Sequence, residues 1–290
     1  MNYKIKDLVA LCTSGSNIYN EDVCGFKENI AWVIDGATGL NGKNFMPSET
    51  DARWYSLWWD KYLRDNITDN ISLELLIKRG IREIRAEFEQ NLSDSHGLGF
   101  EDILKLDYPS ASIALIRLNE DNMEYFVLGD CRIYTDNSCI PKIADETISN
   151  FDSQVFESMR NLNDFGYINF TEIKERVMDQ IIENRLKNNI EGGYWILSFD
   201  EKAVDNAVCG ICKISENMKV LMASDGYYAI CDKYGIFEEE DLLKLSFDRG
   251  IVSLFDALRK FENNEDKVRF IPRFKKMDDC TCLMFKIDKE

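Results

Sequence analysis

Histidine is almost absent from this chain. The single histidine, His96, lies in the polar stretch 93–107, so no histidine-rich metal site and no Ser-His-Asp relay can be built elsewhere. The glycine-rich loop 37–46 lacks the G-x-x-x-x-G-K-S/T spacing with which nucleotide-binding loops hold phosphates. These absences exclude much of hydrolase chemistry and leave the kind that carboxylates support.

The chain also lacks long apolar runs and an excess of positive charge. No stretch is long enough to cross a membrane, and residues 1–17 have no apolar core followed by a small-residue cleavage site, so we expect a cytoplasmic protein. The net charge of −17 disfavours binding to nucleic acid or to an anionic membrane, because the field repels phosphate. Chemistry on a phosphorylated substrate would therefore need a bound metal to reverse the local sign of charge.

The nine cysteines do not suggest a disulfide framework or a zinc site. Their odd number and scattered positions in a long chain are typical of a reducing compartment. In extended strands, Cys209 and Cys212 face opposite sides, whereas Cys280 and Cys282 share one face. Neither pair has the geometry that zinc prefers, so we expect ordinary core or surface residues.

What the chain has instead is acids at the ends of apolar runs. The run Ala31–Ile34 stops abruptly at Asp35-Gly36, as in a buried strand that presents a carboxylate at its exposed end. Similar acids border other predicted strands, at Glu21-Asp22, Asp130, Asp225 and Asp278-Asp279. Each alone is common in surface turns. Together they favour a divalent cation with oxygen ligands, because clustered carboxylates repel one another unless a positive charge lies between them.

Hydrophobic periodicity supplies the remaining elements. Helices are predicted at Ala52–Leu63, Ile71–Leu92, Thr171–Leu186, Glu238–Leu245 and Ile251–Phe261. Strands are predicted at Ser112–Leu118, Met123–Leu128, Cys131–Tyr134, Tyr194–Phe199, Ala207–Ile214, Lys219–Ala223 and Thr281–Ile287. Ser48–Asp51 has the form of a capping box. We interpret residues 1–290 as one domain, with a polar insertion at about 141–192.

The ordered acidic motifs resemble those of the metal-dependent type 2C Ser/Thr protein phosphatases, closer to small bacterial members than to the animal enzymes. The motifs are Asn20-Glu21-Asp22, Asp35-Gly36, Gly129–Arg132, Ala223–Gly226 and Asp278–Thr281, and the resemblance covers about residues 10–287. It implies an α+β fold, a four-layer α/β/β/α sandwich of two antiparallel sheets flanked by helices. It also implies hydrolysis of phosphoserine and phosphothreonine in proteins, by a water that bridges two Mn²⁺ or Mg²⁺ ions and without a separate catalytic side chain.

The resemblance also implies which residues bind the metals. By position, the family's ligands correspond to the carboxylates of Glu21, Asp22, Asp35, Asp225 and Asp278 and to the backbone carbonyl of Gly36. Asp278, not Asp279, matches the first residue of the family's D-D/N-x-S/T pattern. A third ion would use Asp130, but its second acid is replaced here by Ala229.

Two positions depart from the family pattern. The arginine that holds the substrate phosphate is replaced by Asn17, so Lys43 or Arg132 would have to substitute for it. The histidine proposed to protonate the leaving group in the animal enzymes is replaced by Ala37. These departures favour a second interpretation, a pseudophosphatase that binds a partner through its acidic rim or its insertion. A glycosidase is disfavoured, because it needs two acids and not a cluster of five.

Overall fold

A computed structural model of the chain describes residues 3–67, 71–164 and 170–289. Its strands are β1 (Tyr3–Thr13), β2 (Val23–Lys27), β3 (Ile30–Ala37), β4 (Ser110–Asn119), β5 (Asn122–Leu128), β6 (Arg132–Thr135), β7 (Lys142–Ile143), β8 (Val208–Lys213), β9 (Met218–Ala223) and β10 (Cys280–Lys289). They form two antiparallel five-stranded sheets, ordered β1-β10-β9-β6-β7 and β2-β3-β4-β5-β8.

The helices lie outside the two sheets and in the segment between β7 and β8. They are α1 (Asp51–Asn66), α2 (Leu73–Asn91), α3 (Thr147–Asp164), α4 (Phe170–Arg176), α5 (Met178–Leu186), α6 (Asp225–Asp232), α7 (Leu242–Arg249), α8 (Ile251–Glu262) and α9 (Glu265–Val268). Within the described ranges, none of these helices combines the length and the apolar character that crossing a membrane requires.

Strand β3 shows how the layers are assembled. Its alternate side chains Trp32 and Ile34 pack with α1 and α2, while Ala31 and Val33 pack against the other sheet, which contains β9 and β10. A third core lies between the sheet that contains β9 and β10 and helices α6 to α8. Both faces of β3 are therefore covered, which explains its continuous apolar sequence. The predicted four-layer α/β/β/α sandwich and the α+β class are confirmed.

The start of α1 differs from the predicted capping box. The N-cap residue is Thr50, and its side-chain oxygen accepts a hydrogen bond from the Arg53 backbone N–H. Ser48 lies two residues upstream, where its backbone N–H donates to the Met46 carbonyl. The predicted cap was wrong because two hydroxyl side chains precede the helix and the one nearer to it faces the first turn.

Residues 141–192 hold a small apolar cluster of their own, formed by Val155, Met159, Ile173 and Val177. The predicted helix over 171–186 is divided at Val177 into α4 and α5, and α3 precedes them. The predicted strand at 194–199 is wrong. This segment makes only isolated bridges within the described residues, including one from Leu197 to Ala111.

The predicted side-chain faces of the paired cysteines are confirmed. All nine cysteines are free. Cys209 is exposed and Cys212 is buried, whereas Cys280 and Cys282 are both buried. The faces of β8 and β10 therefore follow the predicted strand parity.

Candidate metal centre

The strand-end acids meet at one end of the sandwich, around a cavity of about 580 Å³. Strands β3 and β5 both run antiparallel to β4, so their C-terminal ends lie at the same end of the sheet. In the other sheet, β10 runs antiparallel to β9, so the start of β10 lies beside the end of β9. The carboxylates that line the cavity are those of Glu21, Asp35, Asp130, Asp225 and Asp278, together with Asp152 of α3.

Asp35 and Asp225 interact directly with each other. Asp35 ends the apolar run of β3, Asp225 begins α6, and their side chains share a hydrogen bond. Burial and the charges of Asp278 and Asp130 raise the pKa of Asp225 to about 8. Burial and the charges of Asp22 and Asp225 likewise raise the pKa of Asp35. Both shifts have the same cause: negative charges are held together away from water.

Asp22 and Asp130 are each held by a serine. Asp22 is buried beside the cavity, and its Oδ2 accepts a hydrogen bond from Ser224 Oγ at 2.9 Å. Burial and the charges of the neighbouring acids raise the pKa of Asp22. Asp130 Oδ1 accepts from Ser112 Oγ at 2.5 Å, and burial raises its pKa as well. Asp22 is not among the described residues that line the cavity, so it lies behind the other acids.

Glu21 is fixed by two threonines, and Gly36 packs tightly against it. Glu21 Oε1 accepts hydrogen bonds from Thr50 Oγ1 at 2.7 Å and from Thr38 Oγ1. A Cβ atom at Gly36 would lie 2.5 Å from the Glu21 carbonyl oxygen and equally close to Ser56 Oγ. Glycine is therefore required at this position by close packing of the two segments.

Asp278 and Asp279 have different surroundings. Both oxygens of the Asp279 carboxylate accept backbone hydrogen bonds, from Gly15 N and Glu21 N, each at 2.8 Å. Asp278 lines the cavity, and its Oδ1 accepts from Lys275 Nζ at 2.7 Å. Asp278 is thus the one that can serve as a ligand, while Asp279 joins the start of β10 to the segment that carries Glu21. Sequence reasoning did not find this role of Asp279.

The donor set fits a hard divalent cation. In the part of the chain that the structure describes, no three His, Cys, Asp or Glu side chains are arranged closely enough to hold an ion as they stand. However, oxygen is the only donor type among the acids of the cavity, and burial together with their mutual repulsion raises the pKa of Asp22, Asp35 and Asp225. A divalent cation would relieve this repulsion, and oxygen ligands are those that Mg²⁺ and Mn²⁺ prefer.

The two cations suggested for phosphate binding have partners elsewhere. Lys43 Nζ lies 3.1 Å from the carboxylate of buried Asp107. Arg132 is buried, 2.8 Å from Glu239 and 3.2 Å from Asp232, and its guanidinium stacks on a tyrosine ring. Lys43 is not among the described residues that line the cavity, whereas Arg132 lines an adjoining cavity together with Asp130, Asp225 and Asp278. Both charges are paired with carboxylates in this structure, and a role of Lys43 or Arg132 in phosphate binding stays a prediction.

Other basic side chains do line the cavity, namely Lys174, Arg185 and Lys275. Lys174 Nζ donates to the Phe274 carbonyl at 3.1 Å, and Arg185 Nη2 donates to the Thr38 carbonyl at 2.9 Å. Lys275 alone among these three contacts an acid of the cavity in the described structure. Its position three residues before Asp278 was the sequence signal that could have identified it; Arg185 had no such signal.

Helices α3 and α5 form the apolar wall of the cavity, through Ile148, Phe151, Val155, Met178 and Ile181. Asp152 is the acid on this wall. Burial and the charge of Asp130 raise its pKa to about 7. The segment predicted as an insertion therefore covers the acids and narrows access to them.

Solved structures of Ser/Thr phosphatases match this fold over nearly the whole chain. The catalytic domain of the phosphatase PstP, in complex with two manganese ions, matches with a TM-score of 0.54 and 13% identity, over 99% of this chain and 100% of that one. Stp1 from Staphylococcus aureus matches with a TM-score of 0.55 and 14% identity, over 98% of this chain and 95% of that one. MsPP from Mycobacterium smegmatis, in complex with cacodylate, matches with a TM-score of 0.51 and 12% identity, over 99% of both chains.

At these identities the likeness establishes the fold. The chain thus has the fold of the bacterial type 2C phosphatases, as the sequence resemblance implied. No protein-family model matches the chain, and no curated protein matches it. The reaction must therefore be inferred from the residues of the site.

Proposed function

We propose that the chain is a metal-dependent phosphatase that hydrolyses phosphoserine and phosphothreonine in proteins. Two Mn²⁺ or Mg²⁺ ions would be held by Glu21, Asp22, Asp35, the Gly36 carbonyl, Asp225 and Asp278. The observation that carries the proposal is the convergence of acids from four separate parts of the chain on one cavity. Without cations the ionised cluster opposes folding, because burial and the neighbouring charges both disfavour the charged form of each acid.

The residues around the acids hold them ready for the ions. When bound, two such ions would lower the pKa of a water between them and offset charge on the phosphoryl oxygens. Thr38 and Thr50 orient Glu21, and Asp279 fixes its backbone. These contacts keep the carboxylate in place before substrate arrives, as preorganised catalysis requires.

The leaving-group oxygen has no histidine beside it. Ala37 replaces that residue, and no described residue lining the cavity is a histidine. We infer that solvent protonates the leaving group. Loss of a positioned general acid typically slows such a reaction by roughly 10²- to 10⁴-fold, so we expect slow turnover. The proposal does not include a third ion at Asp130, because Ala229 supplies no carboxylate.

The proposal is tested by Mn²⁺-dependent hydrolysis of a simple aryl phosphate and of phosphoserine peptides. We expect activity that a chelator abolishes. Asp35→Asn and Asp225→Asn should each lower it at least about 100-fold, since even indirect supports of a metal contribute 10- to 100-fold. The control is Asp248→Asn, an exposed acid of α7, which should retain full activity.

A binding module is the second candidate. It is favoured by Asn17 and Ala37, and by the ammonium of Lys275, which already neutralises Asp278. Protein that binds Mn²⁺ but hydrolyses neither the aryl phosphate nor any phosphopeptide would overturn the enzyme proposal and leave this candidate. For either function we propose a cytoplasmic location, supported by the nine free cysteines.

A further inference from the structure

The cavity needs a cation for the substrate phosphate that its acids do not provide. The side chain at position 17 lines the cavity but is a neutral asparagine. Carboxylates around the cavity repel a phosphate dianion, and the net charge of −17 adds to this repulsion. A basic side chain that is not permanently neutralised would therefore have a large effect on phosphate binding.

Lys275 is placed where such a side chain is needed. Its Nζ lies 2.7 Å from Asp278 Oδ1, and 33% of its side chain is exposed. The neighbouring residue Phe274 is held on two sides: its carbonyl accepts from Lys174 Nζ, and its ring packs against Phe156 with centroids 4.8 Å apart. The backbone before Lys275 is thus anchored to α3 and α4, while its own side chain faces the cavity.

The contacts of Lys275 differ in kind from those of the other two cations on the cavity wall. Arg185 and Lys174 donate to backbone carbonyls, which keep their partners when a metal binds. The partner of Lys275 is Asp278, a carboxylate that the proposed function assigns to a metal ion. A divalent cation attracts that carboxylate more strongly than a single ammonium does. Metal binding would therefore release the ammonium of Lys275 at the edge of the cavity.

We propose that Lys275 is the side chain that binds the phosphate group of the substrate, a phosphate monoester dianion, in place of the arginine that is missing at Asn17. This inference rests on the proposed function, because it assigns Asp278 to a metal ion. In the metal-free protein Lys275 neutralises Asp278; in the metal-loaded protein it pairs with phosphate. It acts as a point charge on a flexible stem, which suits a partner that arrives only after the metal.

The two roles of Lys275 predict effects of opposite sign. Lys275→Met removes a charge that competes with the metal, so Mn²⁺ should bind as tightly as in the wild type or more tightly. The same change removes the partner of the phosphate. Inorganic phosphate should then bind the Mn²⁺-loaded protein about 10-fold or more weakly, as expected for loss of one charge-assisted hydrogen bond.

The experiment is calorimetric titration of the full chain, first with Mn²⁺ and then with inorganic phosphate. Lys276→Met is the matched control, because Lys276 is the next residue and is exposed. It makes the same change in net charge and should alter both affinities less than about twofold. Lys275→Arg keeps the charge and should retain most of the phosphate affinity. Thermal unfolding of every variant checks that the fold is intact.

Three results would overturn the inference. Unchanged phosphate affinity in Lys275→Met would show that another group binds phosphate. An equal loss in Lys276→Met would show that only net charge matters. A parallel loss of Mn²⁺ and phosphate affinity in Lys275→Met would indicate a structural role. Wild-type protein that fails to bind Mn²⁺ would instead overturn the proposed function itself, and this failure is visible in the first titration.

Discussion

Asp279 is a buried carboxylate that organises the site without lining it. Its two oxygens accept from Gly15 N and Glu21 N, so it connects the start of β10 to the segment between β1 and β2. A charged acceptor strengthens such bonds relative to a neutral one. The side chain of the adjacent Asp278 does not make these two backbone contacts and lines the cavity. The pair divides positioning and binding between two neighbouring residues.

Asp279→Asn should therefore weaken both the fold and the metal site. An amide can accept through only one oxygen, so one of the two backbone N–H groups, the buried one of Glu21 or the partly buried one of Gly15, loses its partner. We expect the free energy of unfolding, measured in urea, to fall by about 2 kcal/mol. Mn²⁺ affinity should fall by roughly 10- to 100-fold, as for other indirect supports of a metal.

The exposed Asp248 again provides the control, since Asp248→Asn should change neither quantity. Unaltered Mn²⁺ affinity in Asp279→Asn, with the protein folded, would contradict the positioning role given to Asp279.

At the scale of the elements, the acids were predictable because they follow strong local signals. The apolar run before Asp35 forms β3, which continues past the predicted end to Ala37, and the run before Asp225 forms β9, which ends at Ala223 as predicted. Their convergence depends on the antiparallel order of both sheets, which the separate runs do not specify. The family resemblance, not periodicity, supplied that order.

The elements that were missed have weak local signals. Strand β1 lies at the edge of its sheet, and a bulge between Lys6 and Val9, where Asp7 has a positive φ, interrupts the alternation that marks a strand. The composition of segment 194–199 is typical of a strand. In the structure the segment forms only isolated β-bridges within the described residues, because its tertiary contacts override this local preference. The contact of Arg185 with the loop after β3 is tertiary and has no periodic pattern, whereas Lys275 pairs with Asp278 only three residues further along the chain.

At the scale of the whole molecule, the collected acids make stability depend on pH. Burial and neighbouring charges raise the pKa of Asp225 from its usual 3.8 to about 8, and burial with the charge of Asp130 raises that of Asp152 to about 7. Because these carboxyls have a higher pKa in the folded state, the folded state binds their protons more tightly than the unfolded state does. The stability they contribute is therefore fully present at low pH and is lost as the pH rises from their pKa in the unfolded state through their pKa in the folded state.

We accordingly expect the free energy of unfolding of the chelator-treated, metal-free protein to fall as the pH rises from about 4 to 8. Each group contributes a slope of at most about 1.4 kcal/mol per pH unit. Mn²⁺ should flatten the dependence, because it offsets the charge of Asp225. Urea unfolding across this range, with and without chelator, measures the effect, and Asp225→Asn should show a shallower slope. If the free energy of unfolding of the chelator-treated protein instead rose steadily from pH 4 to pH 8, it would contradict the raised pKa values of Asp225 and Asp152.

The central claim is that the acids at one end of the sandwich form a two-metal site. Titration of Mn²⁺ into chelator-treated, dialysed protein, followed by calorimetry, tests it most directly. We predict saturable binding of two ions per chain in the wild type and in Asp248→Asn, and loss of at least one of them in Asp225→Asn. Absence of saturable binding in the wild type, or equal binding in Asp225→Asn, would contradict the claim.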